Sequence, residues 1–193
     1  MSNTVELDPR GDVTLVLSAP EETRVLVSST ILSLASPVFA AMFIRNFSEG
    51  EQLASTSKLD LPLPDDNTEA MILMCRALHH ASRGKSEMDS TILLRVAQVT
   101  DKYGCAPAMH FVAQSWARHC LKSELDVASR MDLVTAAFLF ELEEEFADLC
   151  YGLVVNSKSA DLSVLSSKES VDSRMPPIFG KVPSLISLIR ILD

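Results

Sequence analysis

The chain has 193 residues, enough for one domain with a full apolar core and a modest appendage but short for two large ones. Hydrophobic residues make up 47% and charged residues 22%, the balance of a folded globular chain, and a formal net charge of -9 with no Lys/Arg-rich run sets it against phosphate backbones, so nucleic-acid binding is not expected. The opening MSNTVELDPRGD lacks the basic flank and apolar run of a signal peptide, and no stretch of 18 apolar residues is present; the expectation is a protein of the cytoplasm and/or nucleus without a membrane partner.

Taken in order, Val13, Leu15 and Leu17 alternate with polar or smaller residues, as do Val25 and Val27, and the intervening SAPEE carries Pro20, which together predict a β-hairpin. The period then changes. Ile31, Leu32 and Ala35 recur at helical spacing after the hydroxyls of Ser28, Ser29 and Thr30, and Ser36-Pro37 repeats a helix start before Val38, Phe39, Met42 and Phe43. Residues 44–57 are polar and read as irregular, and Leu59, Leu61 and Leu63 alternate around Pro62, which favours an edge strand.

Asp66 and Glu69 stand at capping-box spacing ahead of Met71, Met74, Cys75 and Leu78, an amphipathic helix that ends in HHASRGKSE. A second helix runs from about Ser90 to Tyr103, with Ile92, Val96, Val99 and Tyr103 on one face and Gly104 as its stop. Pro107 opens a third, whose face is Met109, Val112, Ala113, Trp116, Ala117 and Cys120; Trp116 at that spacing reads as a core anchor. Two more helical patterns follow, about Leu125 to Phe140 and Glu141 to Val155, read as a pair packed on the domain's end. A serine-rich stretch then leads to the short stripe Leu185, Leu188, Ile189 and Leu192, which is expected to dock on the parent domain or to offer a helix to another protein.

The order hairpin, two short helices, edge strand, helix pair, helix pair resembles a BTB/POZ domain. Three stretches carry the resemblance: GDVTLVL with Asp12 and Val13; RVLVSSTILSLASPVFAAMF, above all Leu32, Ser36, Pro37, Phe39 and Phe43; and LLRVAQVTDKYGC followed by the helix with Trp116, which is similar to short fungal members. The implied fold is α+β, a small β-sheet covered by helical hairpins with a C-terminal helical extension. The implied organisation is an N-terminal tail over 1–10, the BTB/POZ domain over 11–121, a helical extension over 122–155, a serine-rich linker over 156–177 and a short helix over 178–193. The implied role is a protein-interaction module, an adaptor or oligomerisation scaffold, with protein partners and no cofactor.

Departures from the family pattern shape the expected sites. Where many members carry a basic pair, this chain has Ser28 and Ser29, so a groove around Asp12 is expected to be more acidic and to select different ligands. Only about ten residues precede the first strand, which leaves homodimerisation by exchange of an N-terminal element open, and the usual Tyr-Thr-Gly after the long helix is replaced by residues 79–84. Phe47, Ser48 and Glu49 occupy the place where members that recruit cullin-type ubiquitin ligases carry a hydrophobic-x-Glu motif. On this reading Phe47 fills a partner's pocket and Glu49 accepts a hydrogen bond at its rim; otherwise Phe47 folds over the edge of the core and Glu49 is merely solvated.

Catalytic signatures are sparse. There is no Gly-x-Ser-x-Gly elbow, no phosphate-cradling glycine loop and only 6 glycines in all. A rival reading, a metal-binding or catalytic protein, would draw on Cys75, His79, His119 and Cys120, although the spacing lacks the short ligand pairs of specific zinc sites. Cys75, Cys105, Cys120 and Cys150 all lie in apolar surroundings and read as small buried hydrophobes in a reducing compartment.

Overall fold

In three five-residue segments every second side chain is apolar, and the period of two sends those side chains to one face. The computed structural model describes residues 3–18, 21–81, 88–123 and 125–156, and in it strands β1 (Asn3–Glu6), β2 (Val13–Leu17), β3 (Thr23–Val27) and β4 (Leu59–Leu63) form one mixed sheet in the order β1-β3-β2-β4. β2 and β3 pair antiparallel, Val13 opposite Val27 and Leu17 opposite Thr23, as expected of the hairpin. β4 joins β2 in parallel at the edge, Leu61 opposite Leu15. Val13, Leu15, Leu17, Val25 and Val27 are fully buried and Leu59, Leu61 and Leu63 nearly so, giving a single dry face. On the other face Arg24 of β3 pairs with Asp60 of β4 across β2.

Residues 1–10 are expected to be a tail, yet Asn3–Glu6 extends the sheet, pairing parallel to β3 with Val5 opposite Val25. The segment gives little sequence signal because only Val5 and Leu7 pack against the core; the strand is held by backbone pairing, which composition does not report.

Eight helices are described: α1 (Ser29–Ala35), α2 (Pro37–Met42), α3 (Ser48–Thr56), α4 (Thr68–Leu78), α5 (Ser90–Lys102), α6 (Ala106–Cys120), α7 (Val127–Leu139) and α8 (Glu143–Asn156). The architecture is α+β. Their starts follow side-chain chemistry: Ser28 caps α1, Ser36 caps α2, Asp89 caps α5 and Asp126 caps α7, each accepting from a backbone N–H in the first turn. Gly104 ends α5 at φ +65, a conformation any side chain would strain.

Two expectations are corrected here. The segment 44–57 is not irregular throughout, since Ser48–Thr56 forms α3; its helix-forming Glu, Gln, Leu and Ala residues suffice although Leu53 alone of its large side chains packs against the core. The cap of α4 is Asn67, whose side chain accepts from Ala70 N–H at 3.0 Å, and not Asp66. Asp66 is instead buried, receiving hydrogen bonds from Lys102 Nζ and Tyr103 Oη, both at 2.7 Å.

The expected end-packed pair is in fact continuous with the core. Seven of the thirteen residues of α7 are buried, α7 packs along α5 and against α8, and one apolar cluster runs from Val13 in β2 to Leu149 in α8. On α6 Met109, Ala113, Ala117 and Cys120 are buried while Trp116 and Val112 are half-buried at the cluster's margin. Of the expected linker and C-terminal helix over 156–193, Asn156 is the last residue of α8 and residues 157–193 lie outside the described residues. Among the described residues no helix is long and apolar enough to cross a membrane.

Removing the Asp66 carboxylate leaves a buried phenol unpartnered and a lysine without its counter-charge. Asp66→Ala is expected to lower stability by about 2–4 kcal/mol and Tyr103→Phe, which deletes one hydrogen bond, by about 1–2 kcal/mol. Urea unfolding of the three chains measures both; equal midpoints would mean that the network contributes nothing.

Candidate functional site

The Phe47–Glu49 segment lies where α2 gives way to α3. Phe43 ends α2, Ile44 begins a tight turn closed by a hydrogen bond from Phe47 N–H to the Ile44 carbonyl at 3.1 Å, and Phe47 takes extended backbone as the residue preceding α3. The turn is tight enough that Gly50, buried in the first turn of α3, has no room for a side chain: a Cβ there would overlap the Ile44 carbonyl. A close backbone approach, and not an unusual torsion, therefore requires glycine at this position.

The geometry leaves two apolar side chains outward, Phe47 at 54% exposure and Ile44 at 52%. Phe47 is thus not folded over the core edge. Ser48 donates its hydroxyl to Glu49 Oε2 at 2.8 Å, and Glu49 sits with Glu51 in the first turn of α3, where the helix dipole favours negative charge. The Glu49 backbone N–H and then the Ser48 hydroxyl hold its carboxyl below the usual carboxylate range. What results is an exposed apolar pair beside an ionised, oriented carboxylate.

The second predicted group, Asp12, Ser28 and Ser29, is brought together at the junction of β2, β3 and α1. Ser29 donates both its N–H and its hydroxyl to Asp12, at 2.7 and 2.6 Å, so both carboxylate oxygens are engaged within the chain. In the expected acidic groove both Asp12 oxygens are therefore taken up within the chain: Asp12 serves as a clamp on the first turn of α1. Joined to it is a residue the sequence offered only as a metal ligand. His79, just past α4, takes a hydrogen bond from Ser28 N–H on Nε2 at 3.0 Å and places Nδ1 2.9 Å from the Cys75 carbonyl. Only the neutral ring protonated at Nδ1 satisfies both contacts. Desolvation lowers the His79 pKa from its ordinary value of 6.5, against the raising effect of the Cys75 carbonyl.

Cys75, His79, His119 and Cys120 are not gathered as a ligand set: among the described residues no group of three or more His, Cys, Asp or Glu side chains is placed to hold a metal. Cys75 Sγ lies 3.9 Å from Met71 Sδ, and Cys120 Sγ 3.4 Å from the Met88 carbonyl. Burial pushes the Cys75 thiol far up and that of Cys105 to about 11, which keeps both protonated and weakly nucleophilic. Sequence reasoning missed the role of His79 and the exposure of Phe111, which is 83% exposed on α6. The signal for Phe111 was available, since it falls off the apolar face Met109, Ala113, Ala117 and Cys120; nothing local marks the partner of His79, which lies 51 residues away.

Two measurements check this geometry. Because the folded protein holds His79 neutral, its folded pKa lies below the unfolded value, so the His79 contribution to stability is complete above about pH 6.5 and is lost as pH falls through the folded pKa. NMR titration should place the His79 midpoint below 6.5, with His79→Gln flattening the stability loss on acidification; a midpoint at or above 6.5 would contradict the hydrogen-bond assignment. Gly50→Ala should cost about 1–3 kcal/mol through the displaced Ile44 turn, whereas the neighbouring Glu51→Ala should stay within about 0.5 kcal/mol, both by thermal unfolding.

A scan against protein-family models and a search of curated proteins each find no match for this chain.

Proposed function

We propose that this chain is a protein-interaction module of the BTB/POZ type, an adaptor or oligomerisation scaffold of the cytoplasm or nucleus that works by binding and not by catalysis. The element order supports this reading: an antiparallel hairpin, two short helices, an edge strand returning to the hairpin, then paired helices.

The observation that carries the functional part is the loop at α3. Phe47 and Ile44 stand out from an otherwise polar segment, and Glu49 is held ionised two residues beyond Phe47, an apolar anchor with a charged rim of the kind that concentrates binding energy. The partner that fits is a cullin-type ubiquitin-ligase scaffold with an apolar pocket for Phe47 and a donor for Glu49. The turn hydrogen bond from Phe47 to the Ile44 carbonyl and the close approach of Gly50 to that carbonyl pack the loop against α3, which reduces the entropy lost on binding.

Light scattering of the chain alone and mixed with a cullin N-terminal domain tests the proposal. A mass increase is expected for the wild type, with Phe47→Ala weakening the complex by about thirtyfold or more and Glu49→Ala by about tenfold. No increase with the wild type would sink the cullin reading, and an increase insensitive to both variants would move the contact surface elsewhere.

A further inference from the structure

We infer that the groove between the start of α6 and the α7–α8 corner is the docking site for a segment of this same chain, the apolar stripe Leu185, Leu188, Ile189 and Leu192 with Lys181 ahead of it. The stripe lies outside the described residues, and the groove is a different surface from the α3 loop, so the inference stands apart from cullin binding.

Pro107, His110 and Phe111 line one side of the groove and Glu141 and Glu143 the other, around an open volume of about 590 Å³. Phe140 and Leu142 also contribute to its lining, and Phe111 is 83% exposed, so apolar surface is left facing water. His110 meets the Phe111 ring edge-on, centroids 5.4 Å apart at 85°, which limits the ring's freedom and so the entropy lost when it is covered. Being open, the groove suits a length of chain laid across it better than a small molecule, whose sites bury most of the ligand's surface.

Charge selects the occupant. Arg118 is already committed to Glu145 at 2.9 Å and to Glu144 at 3.9 Å, which ties α6 to α8 and removes those two carboxylates from consideration. Glu141 and Glu143 are exposed and have no Lys or Arg at ion-pair distance among the described residues. Glu141 stands at φ +58 just past the end of α7, the left-handed position at which helices ordinarily carry glycine, so the corner keeps a carboxylate where glycine would be less strained. The fitting occupant brings cations and apolar side chains without acids. From Ser173 to Leu192 the chain carries Arg174, Lys181 and Arg190 and no carboxylate, although its net charge as a whole is -9. The same segment holds the stripe, whose members recur at i, i+3, i+4 and i+7, with Lys181 four residues before the first of them.

The chain is also long enough to return. α8 begins at Glu143 on the groove's edge, and at about 1.5 Å per residue its 14 residues carry the chain about 21 Å away by Asn156. Residues 157–184 then separate α8 from Leu185, and a coil of that many residues spans about 30 Å root-mean-square, enough to cover the distance back. Tethering over such a span sets an effective concentration on the order of 1 mM, so a site with a dissociation constant of about 0.1 mM is filled about ten to one. A separate partner of equal affinity has no such advantage, which is why a weak open groove is matched to a segment of its own chain.

Amide hydrogen exchange of the full chain over a dilution series, with no cullin present, tests the inference. Amides 185–192 should exchange about tenfold more slowly than a free peptide of the same sequence, at every concentration. Phe111→Ser and Glu143→Lys should each cut that protection by about threefold or more, and adding Lys181→Glu to Glu143→Lys should restore it, because the swapped charges again face their opposites. Unchanged exchange of the β2–β3 amides in every variant shows that these exposed positions were altered without unfolding. Rapid exchange of 185–192 in the wild type would overturn the inference. So would protection that fades on dilution, which belongs to a contact between copies, protection indifferent to Phe111→Ser and Glu143→Lys, which places the stripe elsewhere, or a charge swap that restores nothing.

Discussion

Tyr103 is the fixed point around which the first half of the molecule is assembled. Its ring lies 4.4 Å from that of Phe39 at an interplanar angle of 3°, its phenol donates to the buried Asp66, and its carbonyl accepts the Ser36 hydroxyl at 2.6 Å. Those contacts join α5 to the α1–α2 corner and to the loop that starts α4. Ser36 is shared more widely still, ending α1, capping α2 and reaching Tyr103, so the position of α2 and of the chain that leaves it is referred back to the one residue that caps the end of α5. The apolar loop at α3 therefore rests on a polar network, and it inherits that network's rigidity because each buried polar member has a partner.

Much of this was legible in the sequence because it follows local periodicity. Val13, Leu15 and Leu17, Val25 and Val27, and the i, i+3, i+4 rows of α4, α5 and α6 report their own burial, and Ser36-Pro37 and Gly104 announce where helices begin and stop. What was not legible is what depends on distant partners. Asp66 has the right spacing for a cap, but Tyr103 and Lys102, 37 and 36 residues away, claim its carboxylate and leave capping to Asn67. β1 has almost no pattern because backbone pairing with β3 carries it. α3 hid because a helix with a polar exterior and one packed leucine has no stripe to detect.

The candidate surfaces divide in the same way. Phe47 and Glu49 could be picked out by resemblance, yet the reason for their exposure, the Ile44 turn and the constraint at Gly50, is visible only in three dimensions. Asp12, Ser28 and Ser29 lie together, and their hydrogen bonds are turned inward: Ser29 closes over the carboxylate and His79 receives the neighbouring amide. Hydrogen-bonding capacity that composition would count as available to a ligand is already spent within the fold.

The placement of β4 has one more consequence. It forms the outer edge of the sheet beside β2, and an uncovered edge is a template on which a foreign strand can grow. Here that edge carries Pro62, which has no N–H to give, and the charged Asp60, while α3 packs close by. At the opposite edge β1 is only four residues long, too short to seed an extended ladder. The same sheet that organises the core is thereby poorly suited to fibril growth.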